Sequence, residues 1–154
     1  MKVDTTRFGT IAVKDEEIIT MPLGMPGFSD QKQFALLEHK KNSPFQWYQS
    51  IQEPSLAFVI TDPCLFKPDY VVNMDKILKE LGWEKDREGQ QLKLFVIVNI
   101  PPGAPEKTTA NLIGPVLMNR SIREAVQIII ADSNAAVPPL VDMLSMKARQ
   151  GPPP

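Results

Sequence analysis

The chain of 154 residues has one cysteine and one histidine, and these scarcities exclude much chemistry. Cys64 alone forms no intramolecular disulfide, which fits a reducing compartment and removes cysteine-based zinc sites. His39 is the single imidazole, so no His-x-x-x-His pair exists, and neither Cys-x-x-Cys nor EF-hand spacing occurs. No metal or other cofactor is expected. A charge excess is missing too: 17 Lys and Arg stand against 18 Asp and Glu, evenly spread between the two halves of the chain. Nucleic-acid binders normally carry a basic excess to displace condensed counterions, so direct contact with RNA or DNA is not expected. Nor is the chain acidic enough for its bulk charge to imitate RNA. The longest apolar run, Leu94–Val98, falls far short of the roughly 20 residues needed to cross a bilayer. Charged residues at Lys2, Asp4 and Arg7 stand where a signal peptide would be apolar, so a cytoplasmic location away from membranes is expected. Internal repeats are also missing.

The 15 prolines are the compositional excess, where usage of about 5% would give roughly eight. They argue against long helices. Short β-branched and aromatic stretches separated by Pro, Gly, Asn and Asp predict strands at 2–6, 10–13, 18–21, 34–38, 45–50, 56–61, 92–100, 109–113, 116–119 and 124–130. Phe8-Gly9 reads as a hairpin turn, and Gly24-Met25-Pro26-Gly27 as a compact turn lacking the spacing of a phosphate loop. Within 92–100, apolar residues at successive positions predict a central strand covered on both faces. One helix is expected over Met74–Leu81, with Asn73 as N-cap and Gly82 beyond its end. The charged stretch 83–89 reads as a solvated loop. Pro139 and the Leu140/Val141/Leu144 spacing predict a second short helix, before a terminal Gly-Pro-Pro-Pro extended tail.

Catalytic groups are poorly grouped. His39 follows a strand into a polar turn with no Gly-x-Ser-x-Gly elbow in the chain, and Cys64 reads as a buried structural thiol between Pro63 and Leu65. Asp62 and Asp69 could act as acid and base, but with no reactive partner nearby each reads by default as a turn cap. The aromatics say more: nine of the eleven lie between Phe8 and Tyr70. Strand alternation sends Phe45 and Trp47 to one face and Tyr48 to the other, which marks Tyr48 as an exposed strand-face candidate. The segment from Asp62 to Tyr70 holds Pro63 and Pro68, two carboxylates and the rings of Phe66 and Tyr70. Rigid loops presenting such rings suit protein binding, because little entropy is lost on docking. Phe66 and Tyr70 can instead fold back as core plugs, the reading that leads for Phe66. Phe28, Tyr48, Asp62, Phe66, Asp69 and Tyr70 are the partner-binding candidates.

The order and spacing of several pieces resemble one family. They are Thr6-Arg7-Phe8-Gly9-Thr10-Ile11, Pro22–Phe28, Phe45-Gln46-Trp47, Leu56–Val59, Asp62-Pro63, Pro68-Asp69-Tyr70, Ile100-Pro101, Thr109–Leu112, Gly114-Pro115 and Asn119. Together they resemble the bacterial flagellar assembly factor FliW over residues 1 to about 131, with 132–154 a divergent C-terminal segment. The resemblance implies a mostly β, single-domain fold, a small, partly open β-barrel with one or two short helices. It also implies a non-enzymatic regulator that binds flagellin and the translational repressor CsrA, freeing flagellin mRNA when flagellin is exported. Near-neutral charge then favours an allosteric or partly steric action on the repressor over RNA mimicry. Two other readings stay open: a small β-barrel module binding a ligand or single-stranded nucleic acid, with Trp47 and Tyr48 stacking on bases, and an enzyme using Asp62, Asp69 or His39.

Overall fold

In the computed structural model, residues 1–25, 27–38, 43–87, 89–100, 103–104 and 107–130 are described. His39, the second helix, the proline tail and the whole divergent C-terminal segment lie outside them. Each of the ten expected strands forms: β1 Lys2–Thr5, β2 Gly9–Ala12, β3 Ile18–Thr20, β4 Gln33–Glu38, β5 Phe45–Ser50, β6 Ala57–Thr61, β7 Leu92–Asn99, β8 Thr109–Ala110, β9 Val116–Asn119 and β10 Glu124–Gln127. A single α-helix, α1 (Asp75–Leu81), joins them among the described residues.

Seven strands close a barrel in the order β3-β4-β5-β6-β7-β9-β10, with β10 returning to β3. All neighbours are antiparallel except that last pair, which is parallel and joined at one register position, Glu124 opposite Thr20. The closure is therefore thinnest there. β7 is the long central strand: its first half pairs with β9, and its second half with β6 and β8.

Alternation on these strands sorts the apolar residues into one interior cluster and three exterior ones. Inside the barrel lie Ile19, Met21, Met25, Phe34, Tyr48, Ile60, Phe95, Val116, Met118 and Ala125. Outside, the β1–β2 hairpin lays Val3 and Val13 over Ala35 of β4. Helix α1 and Trp83 cover Leu117 and Val126 of β9 and β10 with Leu78. The segment after β6 brings Phe66 over Phe45, Val96 and Val98. Full burial of one such side chain contributes about 1.5–3 kcal/mol, so strands covered on both faces carry most of the stability.

Local chemistry explains the ends. Gly9 turns the β1–β2 hairpin at φ +68°, and Gly24 holds φ +70° where a β-carbon would press into the backbone of Ser29. Gly82 ends α1 in the left-handed region at φ 73°, its N–H donating to the Leu78 and Lys79 carbonyls. The helix begins one residue later than expected: Met74 is the N-cap, while the Asn73 Oδ1 still accepts from the Asp75 N–H at 3.1 Å.

Three expectations about the chain's surface are corrected. The stretch after α1 is not simply a solvated loop, because Glu84–Arg87 is a 3-10 turn and Trp83 is buried. β8 stops at Ala110, since the Asn111 N–H still reaches the Ile97 carbonyl but Gly114-Pro115 then turns the chain into β9. Cys64 is exposed, because the 3-10 turn Pro63–Leu65 buries Pro63 and leaves Cys64 and Leu65 on the outside.

Candidate partner-binding surfaces

The segment after β6 is shaped by three anchors. Asp62 caps its 3-10 turn, with Oδ1 accepting from the Cys64 N–H at 2.9 Å, and Pro63 fills the first position of that turn. Phe66 lies over Phe45, ring centroids 6.2 Å apart, and is only 9% exposed. Tyr70 is half-buried, and its hydroxyl donates to the Leu112 carbonyl at 2.5 Å. These contacts leave Leu65 42% exposed and Asp69 on the outside, paired with Lys67 at 3.3 Å. Phe66 is thus a core plug and Tyr70 a strut. The surface they present consists of Cys64, Leu65, Pro68 and Asp69.

Titration follows the same geometry. Burial, then the neighbouring Asp62 carboxylate, pushes the Cys64 thiol above its usual range, so little thiolate forms at neutral pH. Burial, then Cys64, pushes Tyr70 up to about 12, which keeps its hydroxyl a donor to Leu112. Neither group is poised for reaction.

Phe28 is 42% exposed and packs edge-on against Phe58 at 5.8 Å, near the start of β6. Asp62 follows the last residue of the same strand, so the structure separates Phe28 from the 62–70 segment by the length of β6. The candidates do not form one patch.

Tyr48 is a correction: it is fully buried, not exposed. The alternation along β5 holds, but both faces of this strand are covered. Tyr48 points into the barrel and stacks on Phe34 with ring centroids 4.4 Å apart. On the other face Trp47 is 9% exposed, with the Phe8 ring edge-on at 5.7 Å and the Arg7 guanidinium 4.2 Å from its centroid. Neither ring is free to stack on a base.

A cleft of about 320 Å³ opens beside the 62–70 segment, lined by Glu38, Phe45, Gln46, Asp62, Leu65, Lys93 and Phe95 among others. Of the residues in this lining, Asp62 alone is among the partner-binding candidates read from the sequence. Glu38 and Lys93 were missed, although strand alternation from Phe34 and Phe95 puts both on the inward face at the barrel's mouth. Asp69 does not reach this cleft's lining, and no group of three or more His, Cys, Asp or Glu able to hold a metal ion is found among the described residues. No helix is long and apolar enough to cross a membrane among them.

Comparison with known proteins gives one consistent result. A family model described as FliW protein matches residues 2–138. A flagellar assembly factor FliW from Treponema denticola is 38% identical over 134 residues, 86% of this chain and 87% of that protein. Another, from Bdellovibrio bacteriovorus, is 35% identical over 157 aligned positions, 99% of this chain and 86% of that protein. A crystal structure of the flagellar assembly factor FliW superposes with a TM-score of 0.75 at 33% identity, covering 87% of this chain and 91% of that one.

Proposed function

The chain belongs to the FliW family, and from that premise we propose that it is a cytoplasmic partner switch: it binds flagellin, and when flagellin is exported it binds the RNA-binding repressor CsrA and relieves repression of flagellin mRNA translation. The observation that carries a protein-binding rather than a nucleic-acid-binding reading is the burial of every ring on β5, Phe45, Trp47 and Tyr48. Barrels that bind single strands stack bases on exposed strand-face aromatics beside a basic groove. Here the rings are enclosed, and the chain's net charge is −1. What remains outside is a stiff loop and a cleft of mixed charge, features that suit a protein partner.

The contact residues of this proposal are Leu65 and Asp69, with Asp62 at the edge of the cleft, and Phe28 as a separate contact at the far end of β6. Phe66 and Tyr70 hold the loop in shape. The near balance of charge supports action on the repressor away from its RNA surface, through a coupling free energy between the two ligands, since a competitor by imitation would need a strongly negative face.

Switching requires the two partners to exclude one another. Gel filtration of the chain with flagellin and the repressor, in pairs and then all together, tests this. Two binary complexes and no ternary one are expected; a stable ternary complex defeats the switch, and no binary complex with either partner defeats the function. In the same assay Leu65→Ser with Asp69→Ala should weaken at least one binary complex tenfold or more.

A further inference from the structure

The strands β3, β5, β7 and β10 begin at one mouth of the barrel, and β4, β6 and β9 end there. Inside, the wall is apolar up to Ile19, Leu36, Phe95 and Met118. One step further out on β4 and β7, and just past the end of β9, the inward positions become Glu38, Lys93 and Arg120. Asp62 and Arg123 continue β6 and β10 in the same way, and Glu16 and Glu17 stand in the turn before β3. Two clefts occupy this mouth: the one of about 320 Å³ beside Asp62, and one of about 270 Å³ with Ile19, Leu36 and Met118 as floor and Glu16, Glu17, Arg120 and Arg123 as walls.

Strand order sorts these charges. Passing around the barrel, the acidic groups Glu16, Glu17, Glu38 and Asp62 belong to β3, β4 and β6, and the basic groups Lys93, Arg120 and Arg123 to β7, β9 and β10. Among the described residues that line the two clefts, the charges therefore divide into one acidic and one basic arc over an apolar floor. The two ion pairs among the described residues, Lys67–Asp69 and Arg87–Asp75, use none of these groups. Glu17 and Asp62 each accept one backbone N–H, from Lys14 and Cys64, which fixes their positions without neutralising them. Asn119 holds the basic arc's turn, its side chain bridging Asp86 and the Ser121 N–H at 3.0 Å each.

We infer that this mouth docks an amphipathic protein segment of mixed charge, one that sets basic side chains on the acidic arc, carboxylates on the basic arc and an apolar side chain on the floor between them. The argument is charge complementarity. A segment of one sign would gain on one arc and be repelled by the other, whereas a segment with both signs gains on both. The apolar floor excludes water beneath the contact, which strengthens each charge pair relative to an exposed one. This inference does not rest on the identity of the flagellar partners.

The test uses the full chain, isotopically labelled, and three synthetic helical peptides of equal length. Each has Leu on its central face. One has Glu along one edge and Lys along the other, one has Glu on both edges, and one has Lys on both. The mixed peptide should shift the amide resonances of Ile19, Leu36, Lys93 and Met118 and bind at least tenfold more tightly than either single-sign peptide. Arg120→Glu with Arg123→Glu should weaken it tenfold or more, as should Glu16→Lys with Glu38→Lys. Combining all four substitutions leaves the former acidic arc without net charge and the former basic arc with a net charge of about −1, so the mixed peptide should not recover its binding. Equal binding of the three peptides, shifts confined to other residues, no binding, or reversals without effect would each overturn the proposal.

Discussion

Replacing Tyr48 with phenylalanine should stabilise the protein by about 1 kcal/mol. Tyr48 is fully buried, and its hydroxyl has no hydrogen-bond partner among the described residues. A buried hydroxyl left unpaired costs about 1–3 kcal/mol relative to water. Phenylalanine removes that cost and keeps the ring stacked on Phe34 at 4.4 Å. Loss of one oxygen's packing offsets a few tenths, which leaves a gain of about 1 kcal/mol and a rise in Tm of about 2–4 °C for a domain of this size. Urea unfolding measures it as a higher midpoint at unchanged slope. Alkaline pH gives a second signature. Burial pushes the Tyr48 ionisation far above its usual range, so in the wild type the unfolded chain releases this proton first as pH rises through about 10. The stability held below that pH is then lost by up to about 1.4 kcal/mol per pH unit on account of Tyr48, a share that the phenylalanine variant lacks while the share of Tyr70 remains. A variant less stable by 1 kcal/mol or more, with the alkaline slope unchanged, would refute the reasoning by showing that the hydroxyl holds a partner.

Phe66→Ala should cost about 3 kcal/mol in urea unfolding, because it empties the cluster over Phe45, whereas Asp69→Ala should cost less than about 1 kcal/mol as half of an exposed ion pair. Gly24→Ala should destabilise by more than about 2 kcal/mol, combining the left-handed backbone with the collision at Ser29, and the same assay reads it. Cys64 should react with iodoacetamide slowly at pH 7 despite its exposure, with a rate midpoint above that of a free thiol. Asp62→Asn should move the midpoint down without reaching the free-thiol value, since burial is the larger cause; a midpoint at or below the free thiol in the wild type would contradict this.

Much of the fold was legible because strands here are short and well punctuated: Gly9, Pro44, Pro63, Asn73, Gly82 and Pro115 fall at element ends. What alternation could not give was which faces are covered. The period of two along Phe45-Gln46-Trp47-Tyr48 separates the faces correctly, but exposure depends on contacts remote in sequence: Phe8 and Phe66 cover the face of Trp47 and Phe45, and closure of the barrel encloses Tyr48 with Phe34, Ile60 and Phe95. Tyr48 differs from its expected exposure for that reason, and Cys64 for the converse, since a thiol between Pro63 and Leu65 gives no sign of which residue of the turn faces the barrel. The charged mouth was hidden for a related cause. Glu38, Lys93 and Arg120 are unremarkable in sequence, and only strand order places acids on one arc and bases on the other.

The most direct test of the proposed switch is titration of a flagellin-leader RNA into CsrA at rising fixed concentrations of this chain. Coupling through separate surfaces predicts that the apparent RNA affinity weakens and then levels off at a finite value once the repressor is saturated. An affinity that falls without limit in proportion to the added chain would mean simple competition for the RNA surface, and no change at any concentration would contradict the function itself.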